Sequence, residues 1–115
     1  MAETFTQHTL ALPTQAITTT NALVYTCPTT ATSGIVVGCN ISNVDGTNAV
    51  DVDFGVDIDG GTTIRYLLKE SNLAGGSAVN PVLGKLVLGV SDAIRARASA
   101  ASDAEVVLSV MEITG

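Results

Sequence analysis

Val50, Val52, Phe54, Val56 and Ile58 stand on every second position, with Asp51, Asp53, Gly55 and Asp57 between them. Only an extended chain sends alternate side chains to opposite faces. The run therefore predicts a β-strand with one buried face and one acidic, solvated face. Asp59-Gly60-Gly61 follows, and glycine supplies the positive φ that a tight turn needs. The chain resumes as Thr62 to Leu68, where Ile64, Tyr66 and Leu68 can turn back to the same core. A strand–turn–strand unit over Val50 to Leu68 is the frame for everything else.

The flanking segments follow the same period of two. Ala16 to Thr20 reads as a short Thr-rich strand, and Ala22 to Cys27 as another, stopped by Pro28, which cannot donate to a ladder. Gly34 to Val44 is a long strand, with Ile35, Val37, Cys39 and Ile41 expected on one face and Val36, Gly38, Asn40 and Ser42 on the other. Asp45-Gly46-Thr47-Asn48 is a turn by its residue chemistry. Glu70 to Ser77 reads as a loop, and Pro81 limits Ala78 to Gly84 to a short edge piece. Lys85 to Val90 and Ala93 to Ser99 are strands, the latter alternating Ile94, Ala96 and Ala98 against Arg95 and Arg97. Glu105 to Ile113 is apolar on both faces, which fits a central strand or a subunit contact. Leu83 to Ala101 comes nearest to a helix, but Gly84, Gly89 and Ser91-Asp92 argue against one. About eight short strands with turn signals every 8–12 residues predict an all-β chain, a single-domain antiparallel β-sandwich of jelly-roll type. The expected organisation is an extended N-terminal arm over 1–13 and a sandwich over 14–115. The arm is either an edge strand or a reach to a neighbouring subunit.

Charge narrows the function. Eleven Asp and Glu stand against five Lys and Arg, and the five cations are scattered. A nucleic-acid backbone or an anionic membrane would need clustered cations, so neither is an expected partner. The first residues show neither a basic region nor an apolar core, so no signal peptide is expected and synthesis is assigned to the cytoplasm. Hydrophobic residues make up 46% of the chain and aromatics only 3%. A core of Val, Ile, Leu and Ala without large aromatic anchors leaves room for oligomerisation as a further source of buried area.

Few groups could carry chemistry. Asp51, Asp53, Asp57 and Asp59 form a carboxylate set suited in kind to a hard cation. Alternate strand residues lie ~6.6 Å apart, wide for one ion, and the helix–loop–helix calcium pattern fails at Gly55, Val56 and Thr62. The set is a weak metal candidate beside the plainer reading of a solvated face. His8, the single histidine, has no partner at catalytic spacing, so neither a catalytic set nor a cofactor is expected. If Ala22–Cys27 and Gly34–Val44 paired as a hairpin, Cys39 would oppose Leu23. It would then lie roughly 13 Å from the level of Cys27, beyond the ~7 Å Cα reach of a disulfide. Both cysteines are expected as free thiols. Leu86-Val87-Leu88 and Val106 to Ile113 are apolar on more than one face, as doubly covered strands or as protein contacts. Interface candidates are Phe5, His8, Leu10, Leu12, Leu86, Leu88, Met111 and Ile113.

Three stretches, taken together, resemble a known group of proteins. They are Leu23-Val24-Tyr25-Thr26-Cys27-Pro28 with Gly34 to Asn43; Gly61 to Leu67; and Gly84 to Leu88 with Asp92 to Ser99 and Val110 to Ile113. In this order they resemble small β-sandwich virion proteins of tailed bacteriophages. The resemblance implies a non-enzymatic virion component with no catalytic residues to carry over. The expected role is a capsid decoration (cement) protein, a small oligomer such as a trimer, bridging subunits of the major capsid protein. A neck, tail or fibre component is the alternative within the virion. A receptor- or carbohydrate-binding module is the alternative outside that class, and the scarcity of Tyr and Trp counts against it.

Overall fold

The alternating sequence folds into nine antiparallel strands in a computed structural model that describes residues 2–58 and 63–114. They are β1 (Ala2–Ala11), β2 (Leu23–Thr26), β3 (Ser33–Asn43), β4 (Val50–Asp57), β5 (Ile64–Leu73), β6 (Ala78–Val79), β7 (Leu86–Leu88), β8 (Ala93–Ala98) and β9 (Ala104–Thr114). One sheet, sheet I, runs β1-β9-β3, with β6 and β7 on the far side of β3; the other, sheet II, runs β2-β8-β4-β5. The all-β antiparallel sandwich expected from sequence is what forms. The expected hairpin is β4 and β5, paired from Val50↔Leu73 to Asp57↔Ile64. Its turn, with Asp59, Gly60 and Gly61, lies outside the described residues.

The inner faces of the two sheets make the core. Val50, Val52, Phe54 and Val56 of β4 are buried against Ile41 and Val36 of β3 and Val106, Leu108 and Val110 of β9. Phe54 is the largest fully buried side chain, and its neighbours in register, Ala96 and Leu68, include one of the smallest. Alanines on β8 thus make room for the single core phenylalanine. Truncating Phe54 to Ala would leave a cavity costing about 3–5 kcal/mol. Gly55 is held by close packing: a Cβ there would lie 2.8 Å from the Arg65 carbonyl oxygen.

The structure decides between some expectations, bears out the free cysteines and corrects others. The segment 1–13 takes the edge-strand alternative: Ala2–Ala11 pairs with β9 along its whole length, from Ala2↔Thr114 to Ala11↔Glu105. Ala16 to Thr20 forms no strand; the carbonyls of Ile17 and Thr19 accept from the Arg95 side chain instead of joining a ladder. Glu70 does not begin a loop. β5 runs on to Leu73 through an irregularity in register with β4, where Glu70 adopts φ 49°. β2 and β3 are not a hairpin. They lie in different sheets, joined across a turn in which the Ala31 N–H donates to the Pro28 carbonyl at 3.1 Å. Cys27 and Cys39 are free and buried, and burial pushes the Cys39 thiol up to about 12. Ile58 is exposed rather than buried with its four predecessors, and Tyr66 points outward. In β3 a bulge between Val36 and Gly38 resets the alternation. Val36, Cys39 and Ile41 go inward, whereas Ile35 and Val37 go outward.

Candidate interaction surface

The outward positions of sheet I align across its strands. Phe5 of β1 lies opposite Met111 of β9, Met111 opposite Ile35 of β3, and Ile35 opposite Val87 of β7. Four apolar side chains thus form one row across the sheet, with Phe5 71% and Val87 66% exposed. The bulge adds Val37 beside Ile35, and Val107 and Ile113 extend the apolar surface along β9. The remaining outward residues of β1 and β9 are mostly small or uncharged: Gln7, Thr9, Ala11 and Ser109. Among the described residues, the charges in these paired outward positions are Glu3 and Glu105, near opposite ends of the β1–β9 ladder. An uncharged centre with charge at the edge is the anatomy of a protein contact.

Sheet II presents the opposite chemistry. Asp53 and Asp57 were expected on a solvated face, yet they are only 3% and 2% exposed. Arg95 Nε donates to Asp57 Oδ2 at 2.9 Å, and its Nη1 donates to the Thr19 carbonyl at 2.6 Å. Arg97 Nη1 donates to Asp53 Oδ2 at 3.2 Å, while its Nε and Nη2 reach the carbonyls of Gln15 and Thr14. The Glu70 amide donates to Asp53 Oδ1 at 2.6 Å. That carboxylate therefore holds the irregular turn of β5 in place. Asp51 stands apart, accepting from the Asn72 amide at 2.9 Å. Asp59 lies outside the described residues. Among the described residues no three His, Cys, Asp or Glu gather as a metal set. The carboxylates are half of an Asp–Arg layer: in register Arg97 faces Asp53, while Arg95, opposite Gly55, reaches Asp57 diagonally. A groove of about 530 Å³ lies beside this layer, between segment 14–18 and the side chains of Tyr66 and Lys69. There the Lys69 ammonium sits 4.7 Å from the centre of the Tyr66 ring.

A third polar group joins the two sheets. His8 points inward from β1 and its ring lies 4.5 Å from that of Tyr25 on β2. The Tyr25 hydroxyl donates to Glu112 Oε2 on β9 at 2.6 Å. Burial, with the Glu112 carboxylate, raises the Tyr25 phenol far above its ordinary value. Burial also lowers His8, against the upward pull of Glu112.

The eight interface candidates therefore separate. Phe5, Met111 and Ile113 share the outer face of sheet I. Leu12 and Leu88 have no exposed surface and belong to the core, and Leu10 and Leu86 pack against it. His8 is turned to Tyr25. Ile35, Val37 and Val87, which complete the surface, become visible only once the register of β3 with β9 and β7 is known.

No protein-family model matches the chain, and no curated protein matches it by sequence. Solved structures do share its fold. The Drosophila NLP core, described for pentamer formation and histone binding, aligns with TM-score 0.55 at 13% identity, covering 98% of each chain. A Bacillus endospore appendage, one of a family of disulfide-linked pili, aligns with TM-score 0.51 at 16% identity over 99% of this chain and 88% of its own. A chain of the T13 IBDV viral particle aligns with TM-score 0.51 at 11% identity; this chain is covered to 98% and spans 31% of that one. At such identities the likeness is one of fold: a β-sandwich that recurs in assembling proteins. Among the described residues no helix is long and apolar enough to cross a membrane.

Proposed function

We propose that this chain is a non-enzymatic structural protein of a bacteriophage virion, a capsid decoration (cement) protein that acts through protein contacts. One observation carries the reading: the four-strand apolar row on the outer face of sheet I, uncharged at its centre and open in a single chain. Exposed apolar surface of this extent is costly in an isolated molecule and is spent in contacts. The phage resemblance in the sequence supports the virion setting, and the shared fold with a viral-particle chain is consistent with it. The 1–13 segment, folded as edge strand β1 of the sandwich, supplies Phe5 to the contact surface. The chain bridges subunits of the major capsid protein as a small homo-oligomer, adding buried area without chemistry, cofactor, nucleic acid or membrane.

Quantitative mass spectrometry of purified particles tests this. A ratio near one to one with the major capsid protein supports decoration of the shell. A ratio of a few per cent moves the protein to the neck, tail or fibre. Absence from particles overturns the virion reading.

The groove beside Tyr66 favours one second reading, a receptor- or carbohydrate-binding module, since ligand sites are concave with a few polar groups. Saturable hits on a glycan array that vanish in Tyr66→Ala would establish it.

A further inference from the structure

We propose that the outer face of sheet I pairs with the same face of a second copy of this chain, about a two-fold axis running along the strands. The proposal rests on the reading of that face as a contact surface and names its occupant. Three features of the face select a second copy.

The first is charge. The centre of the face offers no charged group to an acidic or basic partner, and the charges at the paired outward positions of β1 and β9, Glu3 and Glu105, are both negative. A phosphate-bearing or anionic lipid surface gains nothing there. The matching chemistry is another flat, uncharged apolar sheet face, which this chain itself supplies.

The second is size. Three strands of about ten residues, with the short β6 and β7 beside them, ~4.8 Å apart at ~3.3 Å rise, make a face of roughly 550 Å². Two such faces closing on each other remove about 1,100 Å², above the ~1,000 Å² that a specific interface needs.

The third is shape. The row runs from large to small: Phe5, Met111, Ile35, Val87. A two-fold axis parallel to the strands, between β9 and β3, reverses the row. It lays Phe5 on Val87 of the partner subunit and Met111 on Ile35 of the partner subunit. Large side chains then meet smaller ones, as interdigitating sheet faces do. The contact is isologous, so the unit it builds is a dimer in place of the trimer expected from sequence. Each copy carries a net charge of −6, so the copies repel at long range. Added salt screens that repulsion and strengthens the pairing.

The test uses the full chain in solution. Sedimentation equilibrium of the wild type should give a reversible dimer of the 11.7 kDa chain, tightening as salt rises. Met111→Asp should weaken the dimer by ~100-fold or more, because each copy then buries an unpaired charge, while its circular dichroism and its melting at dilutions where both proteins are monomeric stay as in the wild type. A Phe5→Cys/Val87→Cys double variant should be linked between chains by a short bis-maleimide. The single variants should not, since their cysteines lie ~14 Å apart, three strand spacings, in the paired arrangement. A wild type that stays monomeric at millimolar concentration overturns the proposal, as does a Met111→Asp variant that pairs like the wild type. Linking of the single Phe5→Cys chain in place of the double variant also overturns it. A monomer found on particles at one to one refutes the pairing and leaves the virion reading standing. A dimer absent from particles does the reverse.

Discussion

The outer faces of the two sheets are built from the same kind of alternating strand and end in opposite states. On sheet II the outward residues are carboxylates and guanidinium groups, and segment 14–19 supplies carbonyls to the arginines. On sheet I they are Phe5, Met111, Ile35 and Val87, with nothing charged between. A charged face that the chain covers itself is internal structure. An uncharged face that the chain leaves open is an invitation to another molecule. The sequence pattern suggested a solvated face for the acidic strand and left the doubly apolar strands open as core or contact.

The largest expected effect falls on sheet II. Asp57→Ala leaves the largely buried Arg95 guanidinium with backbone carbonyls but no counter-charge. Breaking such a pair costs about 3–5 kcal/mol, read as a lower urea midpoint. If the loss is below 1 kcal/mol, that face is a solvated one after all and the contrast fails. Gly55→Ala should follow, at about 1–3 kcal/mol, because the new Cβ meets the Arg65 carbonyl in the β4–β5 pair. A neutral result would show that this pair gives way and the sheet II frame is soft.

The next effect sharpens the join between the sheets. The folded His8 pKa lies below its unfolded value because of burial. The unfolded chain therefore binds more protons between the two, so stability rises with pH in that window. It is fully present above the unfolded value of about 6.5 and is lost as the pH falls towards the folded value. The melting temperature should drop from pH 7.5 to 5.5, and His8→Gln should flatten that part of the profile. An unchanged profile in His8→Gln would place the acid sensitivity elsewhere. The smallest effect belongs to sheet I: Met111→Asp should alter single-chain stability by no more than ~0.5 kcal/mol. A loss as large as that of Asp57→Ala would make Met111 a core residue and erase the distinction between the faces.

Much of the fold was legible in the sequence because a period of two is a direct record of a half-buried strand. β4, β8 and β9 follow their patterns, and β9 is central, as its two apolar faces implied. The misreadings fall where a local irregularity breaks the period. The bulge at Val36–Gly38 separates Ile35 and Val37 from Cys39 and Ile41, and Gly38, a lone glycine within the strand pattern, is the one residue there that signals it. The β5 strand passes through Glu70 because the Asp53 carboxylate, 17 residues away, takes the Glu70 amide. Buried Asn43 was invisible for the same reason: its side chain bonds the carbonyls of Asn48, Leu73 and Ala74, which only the fold brings together. The candidate surface was half legible. Phe5, Met111 and Ile113 were named, but their separation from Leu12 and Leu88 depends on strand register, which one sequence does not carry.

Hydroxyl-radical footprinting of the chain in its assembled form, against the dilute chain, tests the central claim most directly. Phe5 and Met111 should become protected on assembly, while Tyr66 and Lys69 on sheet II stay as reactive as before. Protection of Tyr66 and Lys69 with Phe5 and Met111 unchanged would contradict the account and move the contact surface to the other side of the sandwich.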